Sequence, residues 1–517
     1  MNRILWIIIL GMLLQYEASA QNYFNKRLTL HSFTATMFSV IEDSGRYYTA
    51  SGCIDSINYI GGSMLLPITG TRLSVFDDNG SLLIDSFTQR EDRLIAPQVN
   101  ALVKYENNIL MPAYGIDTSG HAIQSLYKWS ENGRLLRTRE YDKPYCYTVK
   151  LDFNYWALKD LKQDSFGNWI ILSEYVCGIK YVHAYTNTML TKLDSNFNVL
   201  WNVPLDDTFS DHSGGHLVIN KDNYIISGNI RSPQSIHKNF HYQAEIFKTD
   251  TSGRVLWHWK SDPKKLTNTA MDIVQTADGG FVYCGQGDGV EVSDGPGTTP
   301  YINWYPTIDK IDSSGNAVWH QKLISGFPSD ETQSNISILK ELPNGDIMAA
   351  GNLVAGYNPE DTISTYGTLV KLSANGKIKW KRQYQYYDSD MIYTVYDMKQ
   401  TSDGGYIMAG EALDVYYPYT YPIQQAWLLK VDSNGCTSLT DPQCHPTAVK
   451  PVAKTAAYKV YPNPAHSVLS ISAPVAGSFL LTDISGRALL QAKLWAGAVA
   501  NIPLEHLAAG VYFYRII

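Results

Sequence analysis

Residues 276–285 read TADGGFVYCG and residues 308–319 read IDKIDSSGNAVW. Each is a pair of short apolar alternations around an Asp/Gly turn, which is how a β-hairpin reads. Both patterns recur. The second returns as LTKLDSNFNVLW ending at Trp201, IFKTDTSGRVLW at Trp257 and LVKLSANGKIKW at Trp380, with weaker copies around Gly80, Gly133 and Gly435. With the turn glycine as ruler and Phe197 in its place in the third copy, the steps are 53, 64, 56, 62, 61 and 59 residues. The first pattern precedes every copy, as in LPNGDIMAAG ending at Gly351 and TSDGGYIMAG at Gly410. Two hairpins per repeat make a four-stranded unit.

Seven such units predict an all-β fold: a seven-bladed β-propeller over residues 21–440, followed by a small C-terminal Ig-like β-sandwich. The last repeat lacks a fourth strand after Gly435, whereas NYFNKRLTLHS (residues 22–32) precedes the first repeat and reads as one. The N-terminus is therefore expected to complete the last unit and remove an open edge. Composition agrees: 36 Tyr, 12 Trp and 15 Phe against 11 Met suit strands and wet surfaces better than helix bundles. A net charge of −7 argues against nucleic acid as a partner.

Residues 1–20 carry Arg3, an apolar run from Ile4 to Leu14 and a small-residue end at Ala18-Ser19-Ala20, the pattern of a secretory signal peptide cut between Ala20 and Gln21. The run is too short to span a bilayer, and no transmembrane segment is expected in the mature chain. Of the six cysteines, Cys436 and Cys444 flank a Pro-containing turn and are the expected disulfide. Cys146 and Cys177 are a second possible pair, and Cys53 and Cys284 fall too far apart in the ring to bond. Residues 441–457, rich in Pro, Ala, Thr and Lys, read as a linker.

From residue 458 the pattern changes. Tyr461-Pro462-Asn463-Pro464, the turn from Asp483 to Gly486-Arg487, and the strand with Gly510 and Tyr512 follow in order. This tail resembles the type A C-terminal sorting domain of cargo of the type IX secretion system of Bacteroidetes. The resemblance implies export, the type IX machinery as partner, and a protein secreted or held at the outer cell surface. Members of that family usually continue past the Gly-Val-Tyr strand, so a short tail or a missing end is expected. The D-x-x-G-x-x-x-W core resembles the repeat of pyrroloquinoline-quinone-type propellers and of exported bacterial repeat proteins. No quinone is expected, since no cofactor pocket can be mapped. The extra residue between Asp250 and Gly253 departs from a sialidase Asp-box.

The A-to-B and C-to-D turns are tight, so the longer B-to-C and D-to-A connections form the candidate ligand face. Tyr181, Trp304, Tyr305, Tyr417 and Tyr419 are the aromatic candidates for stacking on a glycan or a protein, with packing of their own loops as the alternative. The D-to-A connections carry Glu91, Asp92, Asp206, Asp207, Asp211, Asp330, Glu331, Asp388 and Asp390. Together with Asp288, Glu291 and Asp294, these could hold Ca²⁺ or act as an acid/base pair, though turn formation accounts for such residues equally well. His212 with His216 and His237 with His241 have metal-like spacing but lie in expected loops. No cofactor, metal site or catalytic motif is assigned. The expected role is binding an extracellular glycan or protein; a polysaccharide hydrolase or lyase, or a structural surface component, are the alternatives.

Overall fold

The computed structural model describes residues 22–30, 34–56, 59–60, 63–64, 68–89, 93–117, 122–141, 156–179, 183–205, 212–231, 242–262, 268–292, 301–324, 334–357, 363–386, 391–414, 424–444, 459–462, 464–474, 476–483, 487–508 and 510–516. It forms two units, residues 1–444 and 445–517. All regular structure in it is strand.

Among the described residues the first unit contains seven antiparallel sheets of four strands, one with a fifth short strand, of the kind that make propeller blades. We number the sheets 1 to 7 along the chain and letter their strands A to D. Sheet 1 is Thr34–Asp43, Arg46–Ser56, Ile68–Phe76 and Leu82–Gln89; sheet 3 is Trp156–Gln163, Trp169–Ile179, His183–Leu193 and Val199–Pro204. Sheets 4, 5 and 6 repeat this order, opening with A strands His212–Asn220, Asp272–Gln275 and Asn335–Glu341. Sheet 2 splits its A strand into Arg93–Pro97 and Val103–Tyr105. Sheet 7 has Met391–Gln400, Tyr406–Asp414 and Gln424–Val431 as A to C, and its D strand is Phe24–Leu28, with Phe24 opposite Lys430 and Leu28 opposite Ala426. The N-terminal strand therefore completes the last sheet.

The B strands read as nearly unbroken apolar runs because both of their faces are buried. Ile226 packs between sheets 3 and 4 while its neighbour Ile225 packs between sheets 4 and 5. Seven apolar clusters join consecutive sheets in this way, and the last joins sheet 7 to sheet 1 through Phe24, Met37, Phe76 and Leu428. The contacts thus close into a cycle.

The repeated residues have two jobs. Turn acids cap their own hairpins: Asp250 Oδ1 accepts from Ser252 N (2.9 Å) and Arg254 N (3.1 Å), and Asp312 does the same with Ser314 and Asn316. In sheets 3 to 6 a Trp of the D strand lies on the turn glycine of the next sheet. A Cβ at Gly376, where φ is +82°, would stand 2.5 Å from Trp319, and one at Gly253 would stand 3.1 Å from Trp201. Phe24 takes the Trp role at Gly80, where sheet 7 meets sheet 1. The first unit runs to Cys444, past the expected end at 440, because Gln443 hydrogen-bonds both backbone groups of Gln383 on sheet 6 and Cys444 is bonded to Cys436 (Cα–Cα 5.9 Å). Cys53 and Cys284 are buried on sheets 1 and 5. The Cys146–Cys177 pairing lies outside the described residues.

The second unit has two three-stranded sheets. Lys459–Tyr461, Val468–Ala473 and Ala498–Pro503 form one; Ala488–Leu494, Gly477–Thr482 and Phe513–Ile516 form the other. Leu469, Ile471 and Ile502 from the first meet Phe479, Leu481 and Leu494 from the second in one buried cluster.

Candidate functional site: a cavity among the inner strands

The A strands converge, and they do so through a repeated polar staple. Asp160 Oδ2 in sheet 3 accepts from Leu217 N in sheet 4 (3.0 Å). Asp272 Oδ2 in sheet 5 accepts from Leu339 N in sheet 6 (2.7 Å), Asp397 Oδ2 in sheet 7 accepts from Val40 N in sheet 1 (2.8 Å), and Ser39 Oγ accepts from Leu102 N in sheet 2 (3.0 Å). Each acceptor is buried, and each satisfies an amide that no ladder reaches.

The amides are available because the A strands bulge at the same level. Register shifts fall between Met37 and Ser39, Leu158 and Asp160, Gly214 and Leu217, Ile336 and Ile338, and Val395 and Asp397. A bulge inserts an extra residue and re-aims its side chain. The inserted residues Lys159, His216, Ser337 and Tyr396, with Ser213 and Asn229, line one cavity of about 240 Å³.

Its polar groups are held from behind by buried acids. Lys159 pairs with Glu174 at 2.8 Å, and Ser213 donates to the same carboxylate at 3.1 Å. Tyr396 donates to Glu411 at 2.8 Å, and Glu411 also accepts from Thr36 at 2.9 Å. His216 Nδ1 stands 3.2 Å from Asp160 and 3.8 Å from Asp272. Burial alone would raise the Asp160 carboxyl, but Lys162, His216 and the Leu217 amide outweigh it and hold it well below the usual carboxylate range. Asp272 goes the other way: burial raises it, and His216 and its two amides offset only part. Burial would lower His216, but Asp272 and Asp160 more than compensate and raise it. Burial, with Glu411 beside it, pushes the Tyr396 phenol up.

This cavity was missed in the sequence because single inserted residues do not disturb an alternation enough to show. The signal was present as polar pairs in A strands, Lys159-Asp160 and Tyr396-Asp397.

Of the aromatic candidates, Tyr181, Tyr417 and Tyr419 lie outside the described residues. Trp304 and Tyr305 belong to the C strand Tyr301–Ile311 rather than to a B-to-C loop. They are consecutive, so they project to opposite faces of the sheet and form no joint platform. Tyr305 is covered by Lys322, whose Nζ lies 3.2 Å from the ring centroid. The acids Glu91, Asp92, Asp206, Asp207, Asp211, Asp330, Glu331, Asp388 and Asp390 fall outside the described residues, as do Asp294, His237, His241 and the side chain of Glu291. Asp288 meets His320 Nε2 at 2.9 Å, while Asp309 holds His320 Nδ1 at 2.7 Å. His212 and His216 sit on a strand, not a loop, and diverge: His212 meets Glu245 (2.8 Å), His216 meets Asp160. Among the described residues no group of three His, Cys, Asp or Glu side chains is placed to hold a metal ion, and no helix is long and apolar enough to cross a membrane.

In the second unit, Pro464, Gly510 and Tyr512 line one groove of about 600 Å³ with Leu469, Leu481 and Leu507. Tyr461 ends the first strand, Pro462 follows it, and Asp483 accepts from Arg487 N (3.0 Å) and Nε (3.1 Å). Asn463, Gly486, Ala20 and Gln21 lie outside the described residues.

Residues 459–517 match the model of the secretion system C-terminal sorting domain. The tail is a type IX sorting signal, which indicates an exported protein, secreted or at the cell surface, that engages the type IX machinery. The chain matches no curated protein. Among solved structures it is similar to an ulvan lyase of polysaccharide lyase family PL25 (9% identity, 79% of this chain and 96% of that one, TM-score 0.49). It is also similar to the acylaminoacyl peptidase of Pyrococcus horikoshii (10%, 86% and 59%, 0.39) and to the haemagglutinin-neuraminidase ectodomain of parainfluenza virus 5 (8%, 79% and 84%, 0.39).

Proposed function

We propose that the chain is an exported seven-bladed β-propeller of a Bacteroidetes type IX pathway that binds a glycan in its central cavity. In this reading residues 1–20 are its signal peptide and an Ig-like sandwich is its sorting tail. The observation that carries the reading is the cavity itself. Lys159, Ser337 and Tyr396, with Ser213 and His216 from one strand, bring four strands of four sheets to one hollow. Hydroxyls, an amine and an imidazole oriented by buried acids suit a hydroxyl-rich ligand. At about 240 Å³ the hollow is below the roughly 300 Å³ at which drug-sized sites begin, so it fits one terminal sugar better than a protein epitope.

A second reading has one observation in its favour. Asp160 and Asp272 flank His216 with their pKa values driven apart, the arrangement of an acid/base pair in a glycan-acting hydrolase or lyase. Against it, both carboxylates already accept two backbone amides each.

Residues 22–444 applied to a glycan array test both. Binding is expected to weaken at least about tenfold in Lys159→Met and Tyr396→Phe, the loss of one charge-assisted or phenolic hydrogen bond. Retention unchanged in both variants would rule out the cavity as the site. Product release from a bound glycan, abolished in Asp272→Asn, would favour the enzyme; no retained glycan at all would leave a structural role.

A further inference from the structure

The junction between sheets 2 and 3 departs from the repeat. In sheets 3 to 6 a C-strand lysine stands opposite a D-strand tryptophan: Lys192 opposite Trp201, Lys248 opposite Trp257, Lys310 opposite Trp319 and Lys371 opposite Trp380. In sheet 2 the C strand Ala122–Ser130 and the D strand Leu135–Tyr141 place Lys128 opposite Arg137, so a guanidinium takes the tryptophan's position. The residue that would receive the indole is exchanged as well, since Phe197 stands where the other sheets carry a turn glycine. Its ring is buried, stacked on Trp169 with 5.7 Å between centroids and edge-on to Tyr105 at 6.3 Å. With a guanidinium in place of the indole, a cavity of about 210 Å³ remains at the junction. Lys128, Arg137 and Arg139 line it, with Tyr105, Phe197 and Glu106 among its other walls.

The protein does not neutralise these three cations. In sheets 3, 5, 6 and 7 the C-strand lysine at this position pairs with an Asp of the A-to-B turn. The corresponding turn of sheet 2 offers only Glu106, an exposed residue at φ 53°. Among the described residues the side chains of Glu106, Lys128 and Arg137 form no ion pair and no hydrogen bond. Lys128 is half-buried, its Nζ 5.6 Å from the Tyr105 ring centroid. Arg139 donates to Asn196 O (3.3 Å) and Asn198 Oδ1 (3.1 Å) of sheet 3, which fixes its guanidinium while spending only part of its donor set. Asp194, the acid of that turn, spends its carboxylate on its own hairpin, accepting from Asn196 N, Asn198 N and Asn198 Nδ2 at 2.8 Å each.

Three positive groups and one acid around a hollow give it a positive potential, in a chain whose net charge is −7. Guanidinium forks engage the oxygens of an oxyanion two at a time, and an ammonium adds a point charge beside them. We propose that this cavity binds a single oxyanion group, a carboxylate, sulfate or phosphate, free or carried on a sugar. Arg137 and Lys128 are its main donors, and Arg139, held by sheet 3, is the third. The site lies by the A-to-B turn of sheet 2 and the C-to-D turn of sheet 3, shares no residue with the central cavity and does not rest on the glycan reading.

The test titrates the full chain at fixed ionic strength with sulfate, phosphate, glucuronate and a sulfated monosaccharide, with glucose as the uncharged control, read by calorimetry. Wild type is expected to bind at least one of the four anions and not glucose. Arg137→Gln and Lys128→Met are each expected to weaken that binding at least about tenfold, the loss of a charge-assisted hydrogen bond. Arg137→Lys, which keeps the charge and loses the fork, is expected to fall between Arg137→Gln and wild type. Arg137 is exposed, so Arg137→Gln is expected to melt within about 1 °C of wild type without ligand, which separates lost binding from lost folding. Inorganic anions bound as tightly as the sugars assign the site to the free ion; tighter binding of either sugar assigns it to an acidic glycan. Both outcomes support the proposal. It is overturned if none of the four anions binds wild type, or if binding is unchanged in either Arg137→Gln or Lys128→Met. Loss of oxyanion binding in Lys159→Met would also overturn it, by placing the anion in the central cavity; that variant is expected to lose glycan and keep the oxyanion.

Discussion

Lys430 is fully buried in sheet 7, and its ammonium meets the two carboxylate oxygens of Asp403 at 2.8 and 3.1 Å. Burial alone would raise the Asp403 carboxyl, but Lys430 and Thr401 hold it below its ordinary value. The same pairing joins Lys192 to Asp164, Lys310 to Asp278 and Lys371 to Asp346, always from the C strand to the A-to-B turn of one sheet. This contact was legible as two recurrent letters, a Lys two residues before the turn Asp or Ser and an Asp in the preceding hairpin, but periodicity could not say that they meet. Removing one partner of a buried pair leaves the other uncompensated, which costs about 3–5 kcal/mol. Lys430→Met is therefore expected to destabilise the first unit by about 3 kcal/mol in urea unfolding, since Asp403 retains some solvent. Lys430→Met with Asp403→Asn is expected to recover much of that loss. A single variant within about 0.5 kcal/mol of wild type would show the pair to be neutral.

At the scale of the element, the strands and their order were legible and the bulges were not. Alternation and turn glycines located the hairpins because the turn glycines stand at positive φ, and Gly80, Gly253, Gly315, Gly376 and Gly435 do so against an aromatic ring, a demand only glycine meets cheaply; Phe197, at φ 66°, is the exception in the third copy. The cavity depends on one-residue insertions whose cost and placement are set by neighbouring sheets, so it could be seen only in three dimensions. The strand Phe24–Leu28 shows the reverse case, since its role follows from a missing D strand elsewhere in the sequence. It supplies the whole ladder on the open side of Gln424–Val431 and places Phe24 against Tyr47 and Gly80. Asn25 also donates to Gln385 O (2.8 Å) and accepts from Trp427 Nε1 (2.7 Å). Deleting residues 22–28 is expected to lower the melting temperature by at least about 3–5 °C, as the lost aromatic burial alone is about 3–5 kcal/mol. Phe24→Ala should produce a smaller fall of the same sign. An unchanged melting temperature in the deletion would mean that the cycle does not need its closing strand.

At the scale of the molecule, each unit encloses its own apolar core. The first has seven inter-sheet clusters and the second a single cluster around Phe479 and Ile471. Burial scales with size, so a domain of about 60 residues is marginal where one of several hundred is not. The second unit also leaves Trp495, Val499, Val511, Phe513 and Tyr514 at half exposure or more, apolar area that adds nothing to its core. Calorimetry of the full chain is accordingly expected to give two transitions, the smaller at lower temperature. Removing residues 445–517 should abolish the smaller one and leave the larger within about 1 °C, the shift that about 1 kcal/mol gives in a unit this size. In a host with the type IX machinery, the truncated chain should stay behind in the periplasm, and residues 441–517 fused to a periplasmic reporter should carry the reporter out. If the truncated chain left the cell, or the fusion remained in the periplasm, sorting would have to reside in the first unit instead. A single cooperative transition would show that the two cores fold as one.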